Sequence, residues 1–190
     1  NKKFRKEISH QKKNVFITVR RLEKRMGIDQ LIRACFLLKK TNSNFILNIC
    51  GKGNYYRYLE KQIRQYKLDD NIKLLGFVDE DKLPLMISNS DLFILPSIDL
   101  EGFGLVILES MACGVPVLCS PIGGSKEIIS LVDKSLVMKS VNPKDIRDSI
   151  LNFLNNETII KEKKFYRNFV EARFSWLKFS NEYESWIRNL

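Results

Sequence analysis

Two glutamates eight residues apart, Glu101 and Glu109, bracket a Gly102-Phe103-Gly104 sequence that leads straight into an apolar segment starting at Leu105. Glycine lets the backbone turn sharply and approach a ligand with no Cβ in the way. If a helix starts at about Gly104, the amides of Gly102 to Leu105 face an anion at its positive end, and a pyrophosphate is the natural guest. On the glycines alone an ordinary glycine-rich loop is the better reading, so the carboxylates decide. Glu109 has Leu105, Val106, Ile107, Leu108, Met111 and Ala112 for neighbours, among which an unpartnered buried carboxylate would be costly. Helical side chains lean toward the N-terminus, which aims Glu109 back at the glycine loop. Its two acceptor oxygens match the paired hydroxyls of a ribose, the alternative being a structural network with backbone amides. Glu101, in the loop itself, is placed to accept hydrogen bonds from sugar hydroxyls beyond the pyrophosphate.

Short β-branched and aromatic runs alternating with segments of helical period must position these groups. Strands are expected at residues 15–19, 45–50, 72–75, 92–95 and 115–119, with a weaker sixth near 136–138. Between the first two, Ile28, Leu31, Ile32, Cys35 and Leu38 recur at helical spacing, which makes one βαβ crossover. Further helices are expected over 55–66, from an N-cap at Asp79 with Pro84 early in the helix, over 143–154 with Pro143 at its start, and as two stretches in 157–190. The fold class that follows is α/β: a Rossmann-like, doubly wound parallel sheet of about six strands with helices on both faces. Such sheets bind ligands beyond the carboxyl ends of their strands, in the loops that lead into helices. In one of those loops Gly51 and Gly53 form a GxG, read equally as a turn that lets a ligand approach and as a structural turn.

With 190 residues, 44% of them hydrophobic, the chain has material for one well-formed core. No apolar run approaches the roughly 18 residues that cross a bilayer, and the chain, opening on Asn1, is read as a soluble piece of a longer protein. Cys35, Cys50, Cys113 and Cys119 stand in apolar surroundings with no CxxC pair, which points to buried thiols in a reducing compartment. The net charge of +10 is uneven: residues 1–13 hold six basic residues against one acidic, and residues 161–190 seven against four. A near-neutral middle argues against nucleic acid as a partner. A basic segment at 1–13, carrying His10, fits instead a linker drawn to an anionic membrane surface.

The stretch EGFGLVILESMACGVPVLCSPIGGSKEII, from Glu101 to Ile129, resembles the Glu-x7-Glu region of the family-4 retaining glycosyltransferases, which have the GT-B fold. GKGNYYRYLEKQI resembles that family's GxGp loop and helix, NIKLLGFVDEDKLPLMISNSDLFILPS its strand-and-loop segment, and VRRLEKRMGIDQLI its first strand-to-helix turn. RFSW, at Arg173 to Trp176, resembles the opening of its last helix. The resemblance covers roughly residues 14–180.

The resemblance implies the donor-binding C-terminal half of a two-domain enzyme that transfers a sugar from a nucleotide-diphosphate sugar to an acceptor hydroxyl. Glu109 matches the ribose-binding glutamate and Glu101 the one beside the transferred sugar. Gly102, Phe103, Gly104 and Leu105 match the segment whose backbone reaches sugar and phosphates, and Val78 falls where main-chain contacts hold the base. Gly51 and Gly53 match the donor-facing loop, while Gly123, Gly124 and Glu127 match a GGxxE expected to shape a helix start. Arg21 matches the arginine that steadies the leaving diphosphate. The family's lysine is replaced by Met26 and its preceding glycine by Arg20, so Arg25 is the candidate second cation. The site is expected to need no metal and no cofactor beyond the sugar nucleotide. The implied partners are that donor and an N-terminal acceptor-binding domain, against which the helix from residue 173 would pack. The implied setting is glycan assembly at the cytoplasmic membrane face. The open alternatives are a non-catalytic nucleotide-sugar-binding module and a GT-B epimerase or phosphorylase.

Overall fold

The computed structural model describes residues 13–99, 102–156 and 162–188. Among these, five strands form one sheet: β1 (Asn14–Val19), β2 (Phe45–Cys50), β3 (Ile72–Gly76), β4 (Leu92–Leu95) and β5 (Val117–Cys119). The order is β3-β2-β1-β4-β5, parallel throughout, with Asn14 opposite Phe45, Phe16 opposite Leu92 and Phe93 opposite Val117. Strands covered on both faces carry apolar runs instead of alternation, and all four residues of β4 are buried. Asp91 pins the entry to the centre of the sheet, its carboxylate accepting from the Val15 amide at 2.7 Å.

The helices are α1 (Ile28–Lys39), α2 (Tyr56–Gln65), α3 (Leu83–Ser88), α4 (Leu105–Ala112), α5 (Gly123–Val132), α6 (Pro143–Asn155), α7 (Lys163–Phe174) and α8 (Trp176–Arg188). Strand order reverses between β1 and β4, and because parallel crossovers are right-handed the helices divide between the two faces. One set packs α1 on α2 and α6, the other α4 on α3 and α7. The reversal also opens a crevice at the carboxyl ends of β1 and β4. Phe16 and Phe45 stack at 5.8 Å in the core, and fully buried Tyr166 anchors α7. All four cysteines are free thiols, Cys113 half-buried and the others buried.

Three expectations need correction. The sixth strand reduces to a single bridge between Cys119 and Val137 after a 3-10 turn at Lys134–Leu136, because one ladder partner does not extend an apolar triplet into a strand. β5 starts at Val117, after Pro116, which has no N–H to give the ladder. The third helix begins at Leu83 with Lys82 as its N-cap. Asp79 spends its carbonyl on the amides of Lys82 and Leu83 and its carboxylate on the Lys82 ammonium, which makes a turn ahead of the helix.

Candidate functional site

The carboxyl ends of the strands bring the site together. At the end of β1 the chain runs through Arg20 and Arg21 into a short 3-10 turn, Lys24–Met26. At the end of β2 it runs through Gly51, Lys52 and Gly53. The two loops are laced by backbone hydrogen bonds, Arg20 N–H to Cys50 O at 2.9 Å and Leu22 N–H to Lys52 O at 2.8 Å. The glycines permit this spacing: a Cβ at Gly51 would fall 1.7 Å from the Arg20 carbonyl oxygen, and one at Gly53 2.2 Å from that of Leu22. Gly53 thus serves the packing of one loop on the other, while Gly51 also lines the cleft.

Opposite stands the start of α4. Gly104 adopts left-handed φ 70°, ψ 58° as its N-cap and brings no side chain to cap the helix. The first amides of α4 therefore open toward the cleft their residues line, the arrangement that receives anions. Gly102 holds the loop from the other side, its carbonyl accepting from the Gly124 amide at 2.9 Å, so the expected helix start at Gly123 and Gly124 also fixes the glycine loop.

Two adjoining cavities of about 510 Å³ each share Val19, Arg20, Arg21 and Val106. The first adds Arg25, Met26, Phe103, Gly104 and Leu105, so three arginines line it together with the N-terminus of α4. The second adds Gly51, Lys52, Phe77, Val78 and Glu109. A third hollow of about 410 Å³ lies between α4 and the α7–α8 junction, with Phe103, Glu109, Arg173 and Trp176 on its walls. Arg21, Arg25, Gly51, Val78, Phe103, Gly104, Leu105 and Glu109 thus surround one cleft. Glu101 lies outside the described residues, as do the basic residues 1–12.

Glu109 reaches the cleft for a different reason from the one its neighbours suggested. The helix buries Ile107, Ser110 and Met111, whereas Leu105, Glu109 and Ala112 share its exposed face. The carboxylate is solvated at the cleft wall, so no desolvation cost compels it to find a partner. Arg25 is half-exposed, its Nε 3.0 Å from Glu23 Oε2. Met26 is buried, and its sulfur accepts from Arg20 Nη2 at 3.0 Å; the same nitrogen donates to Ser97 Oγ at 3.0 Å.

Sequence reasoning passed over two cleft residues. Lys52 stands over the exposed ring of Phe77 at 4.5 Å, a cation–π pair on the wall of the second cavity. Arg20 had been noted only as a departure from a glycine. The available signal for both was a basic residue at the carboxyl end of a strand in a parallel sheet.

Fold and cleft together define a class: a Rossmann-like α/β domain with an arginine-lined crevice at the carboxyl edge of its sheet. Residues 1–173 match the model for glycosyl transferases group 1, and the chain belongs to that family. It is 35% identical over 124 residues to the putative colanic acid biosynthesis glycosyltransferase WcaL of Escherichia coli, across 63% of this chain and 30% of that protein. It is 28% identical over 167 residues to a GDP-mannose-dependent alpha-(1-6)-phosphatidylinositol monomannoside mannosyltransferase of Mycobacterium tuberculosis, covering 84% and 43%. The chain spans less than half the length of these curated relatives. Among solved structures it resembles Anabaena Alr3699/HepE in complex with UDP, with TM-score 0.82 and 22% identity over 94% of this chain and 50% of that one. It also resembles the C-terminal domain of the group 1 glycosyl transferase LpcC from Francisella tularensis, with TM-score 0.74 and 22% identity over 86% and 87%. At these identities the likeness is one of fold, the half-GT-B architecture that the resemblance implied.

Proposed function

We propose that this chain is the donor-binding half of a retaining glycosyltransferase that moves a sugar from a nucleotide-diphosphate sugar to an acceptor hydroxyl in cell-surface glycan assembly. The observation that carries the proposal is the first cavity, which Arg20, Arg21 and Arg25 line together with the start of α4, where the N-cap is Gly104. When the bond from the anomeric carbon to the diphosphate breaks, negative charge builds on the departing phosphates, and fixed cations and helix amides stabilise that charge. The second cavity suits the nucleoside, with Val78 and Phe77 toward the base and Glu109 toward the ribose hydroxyls. Glu101 takes the role beside the transferred sugar on the strength of the family motif. The names of the relatives support the sugar-nucleotide class: one is GDP-mannose-dependent, and the Anabaena structure holds UDP.

The acceptor side is assigned to a second domain. Helix α8 buries no side chain, and Trp176, Phe179, Tyr183 and Trp186 run along it in successive ring contacts of about 6 Å. An aromatic stripe left uncovered beside the cleft fits a surface that packs against that domain. No described helix is long and apolar enough to cross a membrane. The basic segment 1–13 suits attraction to an anionic membrane surface.

The test is sugar transfer by the full-length protein from a panel of nucleotide sugars, with the anomeric configuration of the product read by NMR. The expected result is transfer with retention, lost in Glu101→Ala and unchanged by EDTA. Met26 favours a second reading, a module that binds the nucleotide and catalyses nothing. Nucleotide binding without transfer from any donor would select it, and binding of a sugar phosphate in place of a sugar nucleotide would select a phosphorylase.

A further inference from the structure

We propose that Phe174, the last residue of α7, is a positioning residue for donor binding: its ring holds Phe103 and, through it, the glycine loop ahead of α4. The proposal rests on the reading of the cleft as a nucleoside-diphosphate site. Phe103 is the one side chain between Gly102 and Gly104, and a backbone of that composition has many conformations to lose on meeting a ligand. Such a loop takes its order from contacts outside itself. On one side the Gly102 carbonyl accepts from the Gly124 amide at 2.9 Å. On the other, the Phe103 ring meets that of Phe174 edge-on, with centroids 6.0 Å apart and planes at 70°.

Phe103 stands as a partition between two spaces. It lines the first cavity, with Arg21 and Gly104, and also the hollow between α4 and the α7–α8 junction. Phe174 lines that hollow and neither of the two cavities assigned to the donor, so it acts on a bound nucleotide through Phe103. The support behind it is firm. Phe174 packs on Phe169 at 6.0 Å, and α7 is seated against α4 and anchored by fully buried Tyr166. The helix that offers its amides to the cleft and the ring that steadies the loop ahead of it therefore belong to one packed layer. Phe103 itself is 46% exposed and lies outside the core, so its ring depends on the edge contact for restraint. A loop ordered before the ligand arrives binds more tightly, because less freedom is lost on binding.

The experiment is calorimetric titration of the 190-residue chain with UDP, GDP and ADP, and then with the matching nucleosides, for wild type, Phe174→Ala, Phe174→Tyr, Phe103→Ala and the double variant Phe103→Ala/Phe174→Ala. Phe174→Ala should weaken the preferred diphosphate by about 3- to 10-fold, the size of an edge-to-face ring contact, and its nucleoside by less than about twofold. Phe174→Tyr keeps the ring and should return the diphosphate to within about twofold of wild type. The double variant should bind the diphosphate no more weakly than Phe103→Ala alone, since Phe174 has nothing left to act through. Phe174→Leu keeps the bulk without the ring, covers the case in which Phe174→Ala does not fold, and should show the same split at about threefold. Equal losses for nucleoside and diphosphate would show a merely structural role and overturn the proposal. So would unchanged diphosphate affinity in Phe174→Ala, or losses that add in the double variant. Failure of the wild-type chain to bind any of the diphosphates would instead remove the functional reading beneath it.

Discussion

At the scale of single residues, the site separates groups that hold the fold from groups that are free to serve a ligand. Glu109 is exposed on the cleft-facing side of α4, so removing it should leave stability nearly untouched. Glu109→Ala is expected to shift Tm by no more than about 2 °C. It should weaken nucleoside diphosphate binding by about 10-fold, the effect of losing hydrogen bonds to a charged acceptor. A 2′,3′-dideoxy nucleotide should bind wild type and variant alike, since it lacks the hydroxyls the carboxylate would hold. Comparing the two nucleotides on the two proteins checks this, and a dideoxy nucleotide that still distinguishes them would count against the ribose assignment. The glutamate was legible in the sequence through its spacing from Glu101 and the glycine loop, but its environment was not. Apolar neighbours in sequence say little about burial on a helix of only eight residues, where positions 107, 110 and 111 turn inward while 105, 109 and 112 turn out. The contacts of Arg20 were not legible for a related reason: its Nη2 meets the sulfur of Met26 and the hydroxyl of Ser97, and Ser97 is 77 residues away in the chain.

At the scale of elements, the two loops beyond β1 and β2 stand or fall together. Gly53→Ala would drive a Cβ to 2.2 Å from the Leu22 carbonyl oxygen, a contact with backbone that no side-chain rotation relieves. It should destabilise the chain by about 2 kcal/mol or more, read as a drop in the denaturation midpoint. A neutral substitution there would show that the laced loops are softer than their hydrogen bonds imply. Helix α8 makes the opposite prediction: ending the chain at Ser175 removes no buried side chain of that helix, so Tm should stay within about 2 °C. A large fall would mean that the aromatic stripe supports the fold itself. The main strands and long helices were legible because uninterrupted apolar runs and threefold-to-fourfold spacing are unambiguous at these lengths. The region around Leu136 was not, since three apolar residues read alike as a strand or as a 3-10 turn with one bridge.

At the scale of the whole molecule, the parallel sheet and its two helical layers bury thiols that respond to pH. Burial pushes the Cys35 thiol up to about 12 and that of Cys50 up to about 11, both from an ordinary value near 9. In the unfolded chain these groups ionise first, so above pH 9 the unfolded state holds fewer protons and is favoured. Stability should be unaffected by these thiols below pH 9. It should fall as pH rises from 9 to about 11 for Cys50 and to about 12 for Cys35, by up to about 1.4 kcal/mol per pH unit for each. Urea midpoints at pH 8, 9 and 10 test the sign, and Cys35→Ala/Cys50→Ala should flatten the slope. Strand order and crossover hand also place every cleft residue at one edge of the sheet, which is why loops distant in sequence converge.

The central claim is that this cleft binds a nucleoside diphosphate through the cations that follow β1. Calorimetric titration of the chain with UDP, GDP and ADP, in wild type and in Arg21→Ala, tests it most directly. The account predicts one saturable site for at least one of the three, unaffected by EDTA and weakened by about 10- to 100-fold in Arg21→Ala. No saturable binding to any of them, or equal affinity in wild type and Arg21→Ala, would contradict it.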